Sequence, residues 1–272
     1  IDLIDGEFDV LGIKNKIKSL TPKIVYIQRS RGYSLRDAIK IEQIKNIISE
    51  IRTYSDAYII VDNCYGEFTE ELEPTDVGAD LVVGSLLKNM GGGITPAGGY
   101  IAGKRELIEL ISYKMTSPAL GIDTGSYEPG YKLFFEGVFL SPHVVAQAKK
   151  LVVLASRVLS KLGYKTIPNY NDKLSDIVCC IHFNDKDKLI KFTRAIQSAS
   201  AIDSDSILEA GEMDGYEDLI IMASGSFNQG SSIELSCDGP MREPYAGYLQ
   251  GCLTYQHGKI GLMNAVKQII SK

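Results

Sequence analysis

The chain has 272 residues, of which 44% are apolar and 23% are charged, and its formal net charge is −5. This length supports a buried core in one large domain or two ordinary ones, and the acidic balance argues against a nucleic-acid partner. Because no uninterrupted apolar run reaches about 18 residues, the sequence predicts no membrane span. Five cysteines without a CxxC pair predict reduced thiols in a cytoplasmic protein, and three histidines without ligand spacing predict no metal site.

Strands and helices alternate through the first half of the chain. Four short apolar runs predict strands, at residues 23–28, 58–61, 81–84 and 99–103. Two helices are predicted between and after them, over 35–54, behind a capping box at Ser34, and over 104–113. This order indicates an α/β fold with a mostly parallel sheet covered on both faces.

The second half has a different texture. Residues 117–130 are rich in Gly, Pro, Ser and Thr and predict a long loop. Ser141 and Pro142 then predict the start of a helix that ends near Leu162. Beyond it we predict a strand at 176–183, a helix at 186–199, strands at 217–223 and 231–236, and a terminal helix at 245–270. The predicted domains are therefore residues 1–140 and a smaller α+β domain, with its connecting helix, over 141–272.

Two polar residues stand at the ends of successive predicted strands. Asp62 ends the run 58–61, while Lys88 follows the run 81–84 and precedes Gly91-Gly92-Gly93. Ligands collect at the carboxyl ends of parallel strands, so these side chains can converge. A lysine amine can form a Schiff base with pyridoxal phosphate, and an aspartate can keep the pyridine nitrogen of that cofactor protonated. The pair therefore favours a pyridoxal phosphate site.

Tyr65 and Ser85 lie three residues from this pair. A phenol at Tyr65 is placed to hydrogen-bond the 3-oxygen of the cofactor, and the Ser85 hydroxyl is placed to donate to its phosphate. Each position also has an ordinary interpretation. An aspartate at a strand end often caps a turn, and a lysine before glycines is often a solvated loop residue. The spacing alone leaves both interpretations open.

Longer motifs carry a family resemblance over nearly the whole chain. They are VDNCYGEF at 61–68, GSLLKNMGGG at 84–93, GVFLSPHVV at 137–145, FNQGSSIELS at 227–236, GPMREPY at 239–245 and LQGCLTYQHGK at 249–259. These segments resemble a family of pyridoxal-phosphate-dependent enzymes described as methionine gamma-lyase-like. The same family is also described as aluminium resistance protein or cystathionine beta-lyase-like.

The resemblance implies the aspartate-aminotransferase-like fold, fold type I, with residues 1–140 forming the C-terminal part of the large cofactor-binding domain. It implies that Lys88 is the Schiff-base lysine and that Asp62 is the partner of the pyridinium. Arg242 is the candidate for the α-carboxylate of a small amino-acid substrate, because a guanidinium binds a carboxylate bidentately. Arg29 and Arg31 are rival anion binders, and Arg31 is retained as a second substrate-binding candidate.

The sequence departs from the family pattern at three places. Cys252 stands where glycine is expected, Glu136 stands where glutamine is expected, and Leu174-Ser175-Asp176 replaces an Arg-Thr-Asp-like run. These departures bear on the substrate but leave Lys88 and Asp62 unchanged. The phosphate-binding loop and the ring-stacking aromatic of such enzymes lie well upstream of the aspartate. We therefore expect a preceding N-terminal portion of the same enzyme, and weak cofactor retention without it.

The resemblance selects one function among three. It implies a carbon–sulfur lyase that acts on methionine, cystathionine or cysteine by β- or γ-elimination, as a homodimer or homotetramer. Kinship of fold alone permits an aldolase or an aminotransferase equally, because the cofactor carries the chemistry. A third alternative is an inactive fragment or scaffold subunit.

Overall fold

The computed structural model describes residues 1–115, 120–123 and 130–271. Most of the loop predicted over 117–130 lies outside these described residues. Within them the chain forms two large sheets, a separate two-stranded sheet and six α-helices, and a long helix connects the two halves.

The first sheet occupies residues 24–103. The elements in order are β1 (Leu3–Ile4), β2 (Glu7–Phe8), α1 (Val10–Leu20), β3 (Ile24–Gln28), α2 (Ile41–Ile51), β4 (Tyr58–Asp62), β5 (Leu81–Ser85), β6 (Gly99–Gly103) and α3 (Arg105–Met115). The strand order is β3-β4-β5-β6, and β1 pairs only with β2. Strands β3, β4 and β5 are parallel, as predicted, whereas β6 runs antiparallel to β5.

Helix α2 is shorter than the helix predicted over 35–54, because it begins only at Ile41. Its start is fixed by two side chains. Gln43 accepts a hydrogen bond from the Lys40 N–H at 2.9 Å, and Glu70 accepts one from the Ile41 N–H at 3.0 Å. Glu70 is close to this helix end only in the folded protein. The capping box predicted at Ser34 therefore does not set the start of the helix.

Helix α4 (Lys132–Lys161) starts earlier than predicted, and Ser141 and Pro142 lie inside it rather than at its beginning. Ser141 Oγ is 2.9 Å from the carbonyl oxygen of Gly137 in the same helix and 2.6 Å from that of Met90. Met90 belongs to the turn that follows Lys88. Docking of this turn on the helix stabilises the segment in which the proline costs a hydrogen bond.

Helix α4 is also long and apolar enough, by length and composition, to cross a membrane. The sequence predicted no such segment. The apolar character has an explanation within the fold, because the second half of the helix is buried against the core. Its fully buried positions include Val145, Ala148, Leu151, Ala155 and Leu159. This pattern is typical of the core helix of a globular domain.

The second sheet follows α4 and is antiparallel throughout. Its elements are β7 (Lys165–Ile167), β8 (Val178–His182), α5 (Lys186–Ser198), β9 (Ile220–Ala223), β10 (Ser236–Pro240), β11 (Ala246–Gln250) and α6 (Tyr255–Ile270). The strand order is β7-β8-β11-β10-β9. Helices α5 and α6 pack against each other, and both contribute to the core cluster below this sheet.

Two strands of the second sheet differ from the prediction. The strand predicted over 231–236 begins only at Ser236, as β10. The range predicted as one helix, 245–270, forms strand β11 first and then helix α6, which starts at Tyr255. All five residues of β11 are buried. A short apolar run of this kind does not distinguish a fully buried strand from a buried helix, and burial in the sheet centre decides the outcome.

A buried ion pair joins the two sheets. Arg31 follows β3, Asp176 precedes β8, and their exposures are 2% and 1%. The guanidinium donates bidentately, from Nε to Oδ2 at 2.9 Å and from Nη2 to Oδ1 at 3.0 Å. Neighbouring Ser175 donates to the carbonyl of Ala38 at 2.9 Å. This junction fixes the distance between the carboxyl edge of the first sheet and the second sheet.

Replacing Asp176 with asparagine leaves the buried Arg31 charge without its counterion. We expect the free energy of unfolding, measured by urea denaturation, to fall by about 3–5 kcal/mol. The exposed control Asp56→Asn should stay within about 0.5 kcal/mol of the parent protein. Joint replacement by Arg31→Met and Asp176→Leu should recover most of the loss, because no charge remains buried. A double variant as unstable as Asp176→Asn would contradict this assignment.

Candidate functional site

A cavity of about 320 Å³ lies between the carboxyl ends of the parallel strands and the second sheet. Gln28 and Asp62, the last residues of β3 and β4, line one side of it. Asp238 of β10 and Gln250 of β11 line the opposite side. Lys88 enters from the turn after β5. The cavity is therefore at the position where the sequence predicted a ligand to bind.

Lys88 and Tyr65 are in direct contact within this cavity. Lys88 Nζ lies 4.5 Å from the centroid of the Tyr65 ring, which is within the range of a cation–π attraction. Burial acts to lower the pKa of Lys88, but the nearby Tyr65, Cys64 and Asp62 outweigh it and raise that pKa above the ordinary lysine value. Lys88 is thus a partly buried ammonium surrounded by acidic groups.

The Asp62 carboxylate is held in place by two hydrogen bonds. Its Oδ1 accepts from the Cys64 N–H at 3.0 Å, and its Oδ2 accepts from the Tyr26 hydroxyl at 3.0 Å. Burial, followed by the charge of Asp62, raises the pKa of Tyr26 to about 12. Tyr26 therefore remains a neutral donor to this carboxylate.

Tyr65 has an unusual backbone conformation, with φ of +70°. This left-handed region is uncommon for an aromatic residue, and such positions concentrate at functional sites. A turn that is closed by the Gly66 N–H donating to the Asn63 carbonyl at 2.9 Å holds it there. Burial raises the pKa of the Tyr65 phenol, and the Lys88 charge opposes this effect.

The glycines after Lys88 serve the packing of the turn. A Cβ on Gly91 would meet the Leu86 carbonyl oxygen, and a Cβ on Gly92 would lie 2.7 Å from the Gly137 carbonyl oxygen of α4. Gly92 also has φ of +58°. In the structure these glycines therefore bring the Lys88 turn onto α4.

Ser85 and Arg242 are not among the residues that line the cavity, although Arg242 contacts one of them, Tyr33. Ser85 Oγ accepts a hydrogen bond from the Leu87 N–H at 3.1 Å. Arg242 is about half exposed and donates to Asp218 at 2.6 Å and to the Tyr33 carbonyl at 3.2 Å. Their predicted contacts with phosphate and with the substrate carboxylate stay predictions.

Arg31 does line the cavity, but its three guanidinium nitrogens already donate, to Asp176 and to the Ile167 carbonyl. Its rival Arg29 is fully buried and donates to Asn63 at 2.7 Å and to Glu70 at 2.9 Å. Both arginines hold the loop that follows β3. A substrate anion would have to share Arg31 with Asp176.

The prediction from sequence did not include Asp238, an acidic residue on the side of the cavity opposite Lys88. Asp238 Oδ2 accepts from the Tyr33 hydroxyl at 3.3 Å and from Gln250 Nε2 at 3.2 Å. Burial raises the pKa of Asp238 to about 6, although these hydrogen bonds and the charge of Lys88 work to lower it. Asp238 is a carboxylate in the middle of the buried strand Ser236–Pro240, and this is the signal that could have identified it. The strand predicted at 231–236 ends before Asp238, so the prediction did not include this residue.

Glu67 is a second acid that the sequence reasoning did not single out. It is fully buried, its Oε1 accepts from the Tyr100 hydroxyl at 2.9 Å, and its Oε2 has no hydrogen-bond partner. Burial raises the pKa of Glu67 to about 8, and its hydrogen bond to Tyr100 opposes this shift. Glu67 is therefore largely protonated near neutral pH.

The chemistry of these side chains fits pyridoxal phosphate. Lys88 offers an amine for the aldehyde of the cofactor, and Asp62 offers a carboxylate that is oriented for its pyridine nitrogen. Tyr65 offers a phenol next to the amine. In the part of the chain that the structure describes, no cluster of His, Cys, Asp and Glu could hold a metal ion.

Solved structures of low sequence identity share this fold. The chain matches cystathionine gamma-lyase from yeast with a TM-score of 0.58 at 15% identity, over 97% of this chain and 68% of that one. It matches a structure of SPT with pyridoxal phosphate with a TM-score of 0.58 at 11% identity, over 96% and 59% of the two chains. The fold is therefore that of the fold type I enzymes that depend on this cofactor. Within that class, the chain belongs to the methionine gamma-lyase family, whose model matches residues 1–270.

Two similar proteins place the chain more closely. A Clostridium acetobutylicum structure, whose name proposes a cystathionine beta-lyase involved in aluminium resistance, is 47% identical with a TM-score of 0.95 and is matched by all of this chain. The protein YnbB of Bacillus subtilis (strain 168) is 45% identical over 98% of this chain. The chain spans 64% of the length of each of these two relatives. The family predicted from the motifs is confirmed.

Glu67 makes the stability of the protein depend on pH. Its native pKa of about 8 exceeds that of an exposed glutamate, so the native state binds a proton that the unfolded chain has lost. The unfolding free energy therefore falls as pH rises towards about 8, by about 1.4 kcal/mol for each pH unit between the two pKa values. Glu67→Gln should remove this loss, so that urea denaturation shows the variant gaining stability over the parent between pH 5.5 and pH 9.

The exposed control Glu71→Gln should follow the parent protein at both pH values. A Glu67→Gln variant whose difference from the parent is the same at pH 5.5 and pH 9 would show that Glu67 does not titrate in this range.

Proposed function

We propose that this chain carries the catalytic lysine of a pyridoxal-phosphate-dependent carbon–sulfur lyase that acts on a sulfur-containing amino acid. The observation that carries this proposal is the convergence of Lys88 and Asp62, from different strands, on one cavity. Membership of the methionine gamma-lyase family and the name of the Clostridium acetobutylicum relative support the reaction class.

When bound, pyridoxal phosphate supplies an electron sink for a carbanion at the substrate α-carbon. Lys88 would hold the cofactor aldehyde carbon and, when released, would remove the α-proton through Nζ. Asp62 would hold the pyridine nitrogen, and Tyr26 keeps that carboxylate oriented. The Tyr65 ring, whose centroid lies 4.5 Å from Lys88 Nζ, would keep the released Lys88 amine positioned to accept this proton.

The products distinguish lysis from the other reactions that this fold permits. A lyase releases ammonia, a 2-oxo acid and a thiol, whereas an aminotransferase needs a second 2-oxo acid and an aldolase releases an aldehyde. Assays with methionine, cystathionine and cysteine separate γ-elimination from β-elimination by the position of the bond that is cleaved. Release of ammonia and thiol in equal amounts is the result that we expect.

The attachment of the cofactor to Lys88 can be tested without turnover. We expect the protein, incubated with pyridoxal phosphate and reduced with borohydride, to carry the cofactor on the peptide that contains Lys88, as measured by mass spectrometry. Lys88→Ala should lose this label and the visible absorbance band, and it should reduce turnover by more than about 100-fold. Lys104→Ala is the matched control, because Lys104 is exposed and pairs with Asp80.

The proposal would be overturned by a label on another lysine, or by an absorbance band that survives in Lys88→Ala. Retention of the label together with an absence of thiol release would leave the cofactor assignment intact and would refute the lyase assignment.

A further inference from the structure

The cavity has an acidic and aromatic end that the proposed chemistry does not use. Asp238 projects from β10 into the cavity, while the adjacent Cys237 lies in the core below the sheet. None of the ion pairs between residues in the described ranges includes Asp238. Its hydrogen-bond donors, Tyr33 and Gln250, are neutral groups. The carboxylate therefore lacks a fixed positive partner.

Three tyrosine rings lie at this end of the cavity, and the Tyr33 hydroxyl donates to Asp238 Oδ2 at 3.3 Å. The Tyr33 ring centroid lies 4.9 Å from that of Tyr216 and 5.3 Å from that of Tyr248, and all three rings line the cavity. Burial, together with the charge of Asp238, raises the pKa of the Tyr33 phenol, so this ring stays neutral. Aromatic faces next to a carboxylate attract organic cations, and ammonium groups in particular.

When the residues that are assigned to the cofactor and to the Arg31–Asp176 pair are set aside, the remaining charges around the cavity do not balance. Two basic residues line it in the described part of the chain, Arg31 and Lys88. Arg31 is paired with Asp176, and Lys88 is committed to the cofactor in the proposed function. Asp62 is likewise committed to the pyridine nitrogen. Among the described residues, Asp238 then remains as a carboxylate without a committed counterion.

We infer that Asp238, with Tyr33, Tyr216 and Tyr248, binds an ammonium group on the leaving half of the substrate. This inference rests on the proposed lyase function and specifies its substrate class. The substrates are thioether amino acids with a second cationic group beyond the sulfur, and Asp238 is the specificity-determining residue. Thioethers with a neutral tail leave the Asp238 charge unpaired and are poorer substrates.

Two matched pairs of small molecules test this inference in the protein loaded with pyridoxal phosphate. L-Lysine is L-norleucine with an ammonium in place of one hydrogen of the terminal methyl group, and neither carries a sulfur leaving group. Isothermal titration calorimetry should give lysine a Kd at least about 10-fold lower than that of norleucine. S-(2-aminoethyl)-cysteine and S-propylcysteine differ by an ammonium in place of a methyl group and test turnover, with a similar ratio expected in kcat/KM.

Asp238→Asn should bring both ratios to within about 2-fold of unity, because a charge-assisted hydrogen bond is lost. Asp238→Glu should keep the preference for the cationic tail. Asp214→Asn is the control for long-range charge, since Asp214 is exposed on the segment before Tyr216 and does not line the cavity. If Asp238→Asn does not fold, the half-exposed Tyr216→Leu tests the same site, with a loss of about 3-fold in the preference for lysine expected.

The inference is overturned if the parent protein shows no preference for the cationic member of either pair, or if Asp238→Asn retains the preference. Failure of the proposed function gives a different result. In that case neither thioether releases a thiol, while the difference between lysine and norleucine in calorimetry still reports on Asp238.

Discussion

The spacing between the two sheets depends on the buried pair of Arg31 and Asp176. These residues are far apart in sequence, yet each lies at a junction where a strand meets the cavity. Removing two charges from water is unfavourable, and the bidentate geometry, the contact of Arg31 with the Ile167 carbonyl and the Val178 N–H donated to Asp176 offset this cost. A pair of this kind tolerates little displacement. It therefore fixes the separation at which Lys88 from one half can face Asp238 from the other.

The site combines several acids with one lysine, and burial assigns them different roles. Asp62 is held by a backbone N–H and a phenol, so its orientation is set before any ligand binds. Glu67 is buried with an unpartnered oxygen, which favours its neutral form. Asp238 lies between these cases, with two neutral donors. Glu67 and Asp238 thus differ in pKa because they differ in hydrogen bonding and solvation.

The sequence allowed prediction of the features that depend on local pattern. Apolar runs ending in Asp62, or followed by Lys88, located the strand ends, and the helix predicted over 35–54 contains α2. Motifs over the whole chain identified the family. Features that depend on distant contacts were not predictable. The start of α2 is fixed by Glu70, and the passage of α4 through Pro142 is stabilised by the Lys88 turn.

The same limit explains the residues that were missed. A buried central strand such as β11 has no alternation of polar and apolar positions, so its short run resembled the start of a helix. With β10 and β11 misplaced, Asp238 and Gln250 could not be recognised as neighbours. The burial of Glu67 follows from packing between the 63–68 turn and β6, which local sequence does not specify.

Helix α4 has a mechanical consequence for the site. Thirty residues of continuous helix extend about 45 Å, from the Lys88 turn at one end to the core below the second sheet at the other. Ser141 contacts the Met90 carbonyl near the first end, and Leu159 is fully buried near the second. Because helix α4 is packed at both places, it couples the position of the second sheet to that of the Lys88 turn. A tilt of the sheet that carries Asp238 would therefore be transmitted along this helix to the backbone beside the lysine.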